Sequence, residues 1–259
     1  MDRREFLKKS AIGVASVAAV SVLGKTVYDL MDEKEEQTNN QNTTTMKKIM
    51  IIDGGPRKNM NTAAMVESFA KGVREAGAEV KHVRLYDIDN YKGCYSCMAC
   101  QQKDKRVPSC RFRDGLTDIL AECAEADGLV IASPIYYGEI TAMTRAFYER
   151  LTFPWLSYKD GTFDAPKRMP VTMIYTMNAT PEQAVNMPGG LHSVEMFLGM
   201  ALGCQVEVVM ANNTTQVNDY SRYHFADGTA EAKKQWRDTH WEEDLQKAYE
   251  AGKRMATGG

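Results

Sequence analysis

Apolar positions along this chain follow two periods in alternation. KKIMIIDGG from Lys47, GLVIAS at 128–133 and PVTMIYT at 170–176 are apolar at nearly every central position, the pattern of strands buried on both faces. EVKHVRLYD (79–87) and QVEVVMA (205–211) read as two further strands. Between them run segments with helical spacing: Thr62 to about Ala76, Asp114 to Ala124, Ala142 to Thr152, Gly190 to Leu202 and Thr229 to Met255, with Thr62 and Asp114 expected as caps. Five strands alternating with five helices predict an α/β domain. Its sheet is doubly wound, parallel and five-stranded, and right-handed crossovers leave few topologies, of which the order 2-1-3-4-5 is expected.

Residues 1–45 do not share this pattern. Arg3-Arg4-Glu5-Phe6-Leu7-Lys8-Lys9 precedes an apolar run from Ala11 to Leu23, too short to span a bilayer comfortably. A basic start followed by a short apolar segment has the form of an export signal, and the adjacent arginines resemble the twin-arginine type, an address read by a receptor. The other reading is an N-terminal tether. Residues 1–31 are therefore expected to be a signal or anchor, placing the protein in the periplasm, at the cell surface or tethered to a membrane, with membrane contact only through this segment. Residues 32–45, DEKEEQTNNQNTTT, hold no large apolar side chain and read as a polar linker. The folded domain is expected over 46–259.

Composition narrows the class. With 44% hydrophobic and 25% charged residues and a net charge of -2, the chain is neither disordered nor collagenous, and its balanced charge argues against a nucleic-acid surface built on bulk charge. The four histidines have no paired serine, cysteine or acid pattern, so a catalytic triad is not expected, and no side chain is nominated as an acid or base.

Ligands of such sheets sit beyond the carboxyl ends of the strands, where strand order reverses. Three segments leave strands at that edge. Gly54-Gly55-Pro56-Arg57-Lys58-Asn59-Met60-Asn61-Thr62 offers glycines for close backbone approach and donors for a phosphate at a helix start. Ser133-Pro134-Ile135-Tyr136-Tyr137-Gly138 can form a wall for a flat ring, and Thr176-Met177-Asn178 can offer backbone groups to the edge of a heterocycle. Together they suit a mononucleotide with a large planar ring. Four of the six cysteines follow the pattern Cys94-x2-Cys97-x2-Cys100-x9-Cys110 in a loop over 93–114. Three thiols at two-residue intervals with a fourth on a longer return can serve four iron sites; zinc, free thiols and disulfides remain open. Cys123 and Cys204 read as buried thiols, and Arg145 and Arg150 as surface ion pairs with Glu139 or Glu149.

IIDGGPRKNMNT, GCYSCMACQ, EADGLVIASPIYYGEIT, AFYERL, IYTMNAT and AYEAGKRMA resemble the NAD(P)H-dependent FMN reductase and iron-sulfur flavoprotein family over nearly all of residues 47–256. The resemblance implies a flavodoxin-like fold binding FMN noncovalently. Arg57, Asn59, Asn61 and Thr62 would surround the phosphate; Pro134, Ile135, Tyr136, Tyr137 and Gly138 would run along the isoalloxazine; Thr176, Met177 and Asn178 would meet its other edge. It also implies a homo-oligomer that completes the flavin site, and Cys94, Cys97, Cys100 and Cys110 as ligands of a 4Fe-4S cluster. The sequence departs from the compact family motif in its longer last spacing, the lack of a proline after Cys110, and Arg113-Asp114 where an acidic pair often stands. The implied function is an FMN-dependent oxidoreductase. Electrons would pass from NAD(P)H, or from a membrane or protein donor, to a redox partner protein or a small-molecule acceptor. The alternatives are a noncatalytic flavodoxin-type electron carrier and a flavin-free module stabilised by zinc or disulfides.

Overall fold

The two-sided apolar runs take the interior places of one parallel sheet. The computed structural model describes residues 46–103, 105–187 and 190–258; the expected signal or anchor and the polar linker lie outside the described residues. In chain order the elements are β1 (Lys48–Asp53), α1 (Asn61–Glu75), β2 (Glu79–Arg84), α2 (Thr117–Glu125), β3 (Gly128–Tyr136), β4 (Glu139–Ile140), α3 (Ala142–Thr152), β5 (Val171–Thr176), α4 (Pro181–Val185), α5 (Gly190–Leu202), β6 (Glu207–Ala211) and α6 (Thr229–Thr257). The sheet runs β2-β1-β3-β5-β6, so its five parallel strands take the expected 2-1-3-4-5 order, and β4 pairs with β3 alone. Ile51 lies between His82 and Val130 in register, and Ile131 lies opposite Met173. Among the described residues no helix is long and apolar enough to cross a membrane.

Alternation along β1 divides the interior in two. Ile49 and Ile51 pack with Val66, Phe69 and Val73 of α1 and with Ala248, Ala251 and Met255 of α6. Met50 and Ile52 face the opposite core, with Leu120 of α2, Phe147 and Leu151 of α3, and Leu198 of α5. Helices α1 and α6 meet backbone to backbone. A Cβ on Gly72 would stand 2.0 Å from the Tyr249 carbonyl oxygen, and one on Gly252 would stand 2.1 Å from that of Phe69. The missing side chains permit the crossing.

Several local expectations need correction. Thr62 does not cap α1: Met60 holds that position without a side-chain bond, and Thr62 is buried in the first turn. Its hydroxyl is used sideways, 2.7 Å from Thr176 Oγ1 of β5. Asp114 does not open a helix, because α2 starts at Thr117 and the carboxylate faces Arg150. The second strand ends at Arg84, and Leu85–Asp87 form a 3-10 turn. Ser133 to Tyr136 continue β3 instead of leaving it: Ser133 and Pro134 extend the ladder with β5, then Ile135 and Tyr136 pair back onto Ile140 and Glu139. Pro134 is tolerated there because pairing with β1 stops at Ala132, so on that side its missing N–H has no ladder partner to disappoint. A short helix not foreseen, α4, starts at Pro181 behind a capping box in which Thr180 accepts from the Gln183 N–H and Gln183 accepts in return.

Gly252→Ala tests the helix crossing. Alanine gains helix propensity, yet its methyl group would meet backbone that no rotamer can move, so overpacking of about 1–3 kcal/mol should prevail. The expected result is a lower midpoint in a thermal melt followed by circular dichroism; a raised midpoint would contradict the contact.

Candidate functional site

The carboxyl ends of β1, β3, β5 and β6 open into one cleft of about 240 Å³. Asp53, fully buried at the end of β1, accepts the Gly55 N–H at 2.7 Å and a charged bond from Arg84 at 2.9 Å, which turns the chain sharply out of the strand. Gly54 can lie against α3 only because it lacks a side chain, since a Cβ would fall 1.8 Å from Thr144 Oγ1. Its N–H donates to the Ala132 carbonyl at 2.8 Å, and its own carbonyl accepts from the Thr141 hydroxyl at 3.2 Å. The first segment is thereby tied to the second.

Nine of the twelve cofactor residues proposed from sequence line the cleft: Arg57, Asn61 and Thr62 at one end, Pro134, Ile135 and Tyr136 along a wall, and Thr176, Met177 and Asn178 opposite. The other three do not. Asn59 is exposed on the loop before α1. Tyr137 and Gly138 form the two-residue turn between β3 and β4, with φ of 55° and 80°, the left-handed pair that a tight hairpin demands.

A fourth segment, not recognised in the sequence, completes the wall. Thr214, Thr215 and Gln216 follow β6 and line the cleft. Thr214 donates from its N–H and its hydroxyl to the Met177 carbonyl at 2.9 and 3.1 Å. The Gln216 amide donates to Asn178 Oδ1, while Asn61 Nδ2 donates to the Thr215 carbonyl at 2.7 Å and the Arg57 guanidinium to that of Gln216. The polar run NNTTQ directly after an apolar strand was the available signal. Lys233 of α6 was also missed. Only 7% exposed, it donates to the Asn178 carbonyl at 3.0 Å and to Asn213 Oδ1, and burial lowers its ammonium below the ordinary lysine range. Donors at one end, an aromatic and aliphatic wall, and backbone groups opposite form a donor set that fits FMN.

The cysteine loop lies against the carboxyl end of α3. All four thiols are free: Cys100 is buried, Cys94 and Cys110 are half-buried, and Cys97 is exposed. Burial pushes the Cys100 thiol up, and the nearby Cys110, Cys94 and Cys97 sulfurs add to the shift. Among the described residues no three His, Cys, Asp or Glu side chains converge as one metal-binding group. The donor types and number fit an iron-sulfur cluster, whereas their arrangement does not form a closed ligand set.

Arg150 anchors this loop, contrary to the surface pair expected of it; Arg145 does pair with Glu139. Arg150 is 2% exposed. Its Nε donates to Cys110 Sγ at 2.9 Å, and its terminal nitrogens reach the Lys92 carbonyl at 3.0 Å, the Phe112 carbonyl at 2.9 Å and both Asp114 oxygens at 2.7 and 3.1 Å. All five N–H groups are engaged, and the chain is gripped on both sides of the four cysteines. Burial alone would raise the Asp114 pKa; the Arg150 fork and the Leu116 and Lys92 N–H groups outweigh it and hold the carboxyl below its ordinary value.

A family model described as NADPH-dependent FMN reductase matches residues 47–178, just over half of the chain. The chain belongs to that family. Among curated proteins, an iron-sulfur flavoprotein of Methanocaldococcus jannaschii is 30% identical over 103 residues, 40% of this chain and 51% of the relative. One from Archaeoglobus fulgidus is 31% identical over 105 residues, 40% of this chain and 48% of the relative. In these alignments the chain spans about half the length of the curated relatives it matches. Solved structures share the fold. An NAD(P)H:quinone oxidoreductase from Methanothermobacter marburgensis superposes with a TM-score of 0.57 at 17% identity, covering 81% of this chain and 97% of that one. An FMN-dependent NADH-azoreductase from Bacillus anthracis, solved in complex with FMN, gives 0.57 at 13% identity, covering 81% and 99%.

The Asp114–Arg150 pair predicts a pH signature. Because the folded pKa of Asp114 lies below its unfolded value of about 4, the pair's contribution is full above that pH and is lost as pH falls through the folded value. Asp114→Asn should cost about 3–5 kcal/mol at pH 7, the range for orphaning one member of a buried pair. Thermal melts of the two proteins should converge as pH drops below about 4; a constant gap would show that the charge is not what matters.

Proposed function

We propose that the protein is an FMN-dependent oxidoreductase. The observation that carries this reading is the cleft itself, with Arg57, Asn61 and Thr62 at one end and Pro134, Ile135 and Tyr136 along the wall, all inside the region matched by the family model. FMN, when bound, supplies the capacity to take up and release electrons singly or in pairs. The chain's own residues hold and orient it. A guanidinium and the start of α1 suit the phosphate, the Tyr136 side of the hairpin excludes water from one flank of the ring, and the loop at 176–178 presents its backbone to the heterocycle edge.

In this reading Cys94, Cys97, Cys100 and Cys110 are the ligands of an iron-sulfur cluster of the 4Fe-4S type. Support comes from the number and spacing of the thiols and from the name carried by the curated relatives. The sulfurs must draw closer than they stand here. The donor depends on the N-terminal segment. If it exports the protein by a twin-arginine-type route, NAD(P)H is out of reach and electrons come from a membrane quinol or a redox protein; if it tethers the protein facing the cytoplasm, NAD(P)H serves. The acceptor is a small molecule such as a quinone or azo compound, or a partner protein. Homo-oligomerisation is part of the proposal.

The test begins with native protein purified anaerobically and without a tag. Its absorption spectrum should show flavin, and analysis should return about one FMN, four irons and four sulfides per chain, the stoichiometry of one cubane on four thiolates. Steady-state oxidation of NADPH with a quinone or azo acceptor should follow for the cytoplasm-facing form, and of a quinol for the exported one. Flavin without iron would remove the cluster. Flavin without turnover of any small acceptor would make the protein an electron carrier, and colourless, flavin-free protein would overturn the proposal.

A further inference from the structure

Helix α6 carries three consecutive-turn positions on one face: Lys233, Arg237 and Trp241. Arg237 is half-buried, its guanidinium 4.2 Å from the centre of the Trp241 ring, and it donates to Asn61 Oδ1 at 3.2 Å. Asn61 is the first residue of α1 and lines the cleft, and Arg57 lines the same end from the preceding loop. Within the described residues neither guanidinium has a carboxylate at ion-pair distance: Arg57 bonds the Gln216 carbonyl, Arg237 bonds Asn61, and the buried Lys233 one turn away bonds only neutral oxygens. Asp53, near Arg57 in the chain, is already engaged by Arg84 and His82, and Asp238, next to Arg237, pairs with Lys234 at 2.7 Å.

A half-buried guanidinium held against a ring, with most of its five N–H groups without a protein acceptor, is placed to bind an anion, and no carboxylate among the described residues supplies one. We propose that Arg237 joins Arg57 in recognising the phosphate monoester of the flavin, which makes the last helix part of the cofactor site and sets the preference for FMN over unphosphorylated riboflavin. The inference rests on the FMN reading above. Arg237 lies outside the segment matched by the family model, so the contribution belongs to this chain's own C-terminal helix.

The experiment titrates FMN and riboflavin into full-length protein stripped of flavin, following quenching of flavin fluorescence, for the native protein, Arg237→Gln and Arg237→Lys. A charge-assisted bond to phosphate predicts that Arg237→Gln weakens FMN by about ten- to a hundredfold and leaves riboflavin unchanged, so that the ratio of the two affinities collapses. Arg237→Lys should recover part of the loss, since it keeps the charge without the planar fork. The native protein's affinity for FMN should also fall more steeply with salt than that of Arg237→Gln. An undiminished preference for FMN in Arg237→Gln overturns the proposal while leaving the FMN reading standing. Equal losses for both flavins, with an altered thermal midpoint, would assign Arg237 a purely structural role and also overturn it. Native protein that binds neither flavin, or binds both alike, defeats the FMN reading and this inference with it.

Discussion

A parallel strand buried on both faces must find hydrogen-bond partners on either side and apolar cover above and below. β1 and β3 are in that position, and everything else in the domain answers to it. Parallel pairing forces every crossover to return to the opposite edge, so the loops that follow β1, β3, β5 and β6 are delivered to one rim. Those loops cannot use the ladder, and each polar group they bury has to be satisfied by another loop. The bonds among Gly54, Thr141, Met177, Asn178, Thr214 and Gln216 meet most of that requirement, although Asn212 Nδ2, just after β6, is buried without a partner among the described residues. The cleft is what remains between four loops that have bonded to one another.

The same logic explains how charge is disposed. Several cations are matched with acids: Arg84 with Asp53, Arg150 with Asp114, Lys167 with Asp127. At the rim, Arg57, Lys233 and Arg237 meet only neutral oxygens. Of the three only Lys233 is buried, while the half-buried Arg237 and the exposed Arg57 have no carboxylate at ion-pair distance among the described residues, so this end favours an anionic ligand. The cysteine loop solves a different problem. It contributes almost no apolar burial of its own, and a single fully engaged guanidinium, with Gln101 and Trp155 bonding across the junction, fixes a segment that a hydrophobic core could not hold.

The sheet was legible because two-sided apolar runs and helical periods are local signals, and each element could be read without knowing its neighbours. Segments at the strand ends were legible for the same reason, by composition and place. What escaped was relational. Thr62 has the chemistry of a cap, and only the presence of Thr176 more than a hundred residues later diverts it. Arg150 on an amphipathic helix looks like a solvent-facing cation, since its acceptors at Lys92, Cys110, Phe112 and Asp114 lie 36 to 58 residues away along the chain. Thr214 to Gln216 sit after the fifth parallel strand just as the other segments sit after theirs, yet they carry neither glycine nor aromatic residue to draw notice. The hairpin of β3 and β4 was hidden by its own proline, which usually argues against a strand.

The direct crossing of α1 and α6 has a consequence for how the chain comes to be folded during synthesis. One of the two cores is roofed by the first and the last of the described helices, and the faces of Phe69 and Val73 stay uncovered until α6 has been made. The opposite core, served by α2, α3 and α5, can assemble earlier. A nascent chain therefore carries a half-finished sheet, apolar on one side, for the whole time that more than a hundred intervening residues are translated. That surface stays open to other nascent chains until then, and the rim acquires its full set of cations only once α6 has been made.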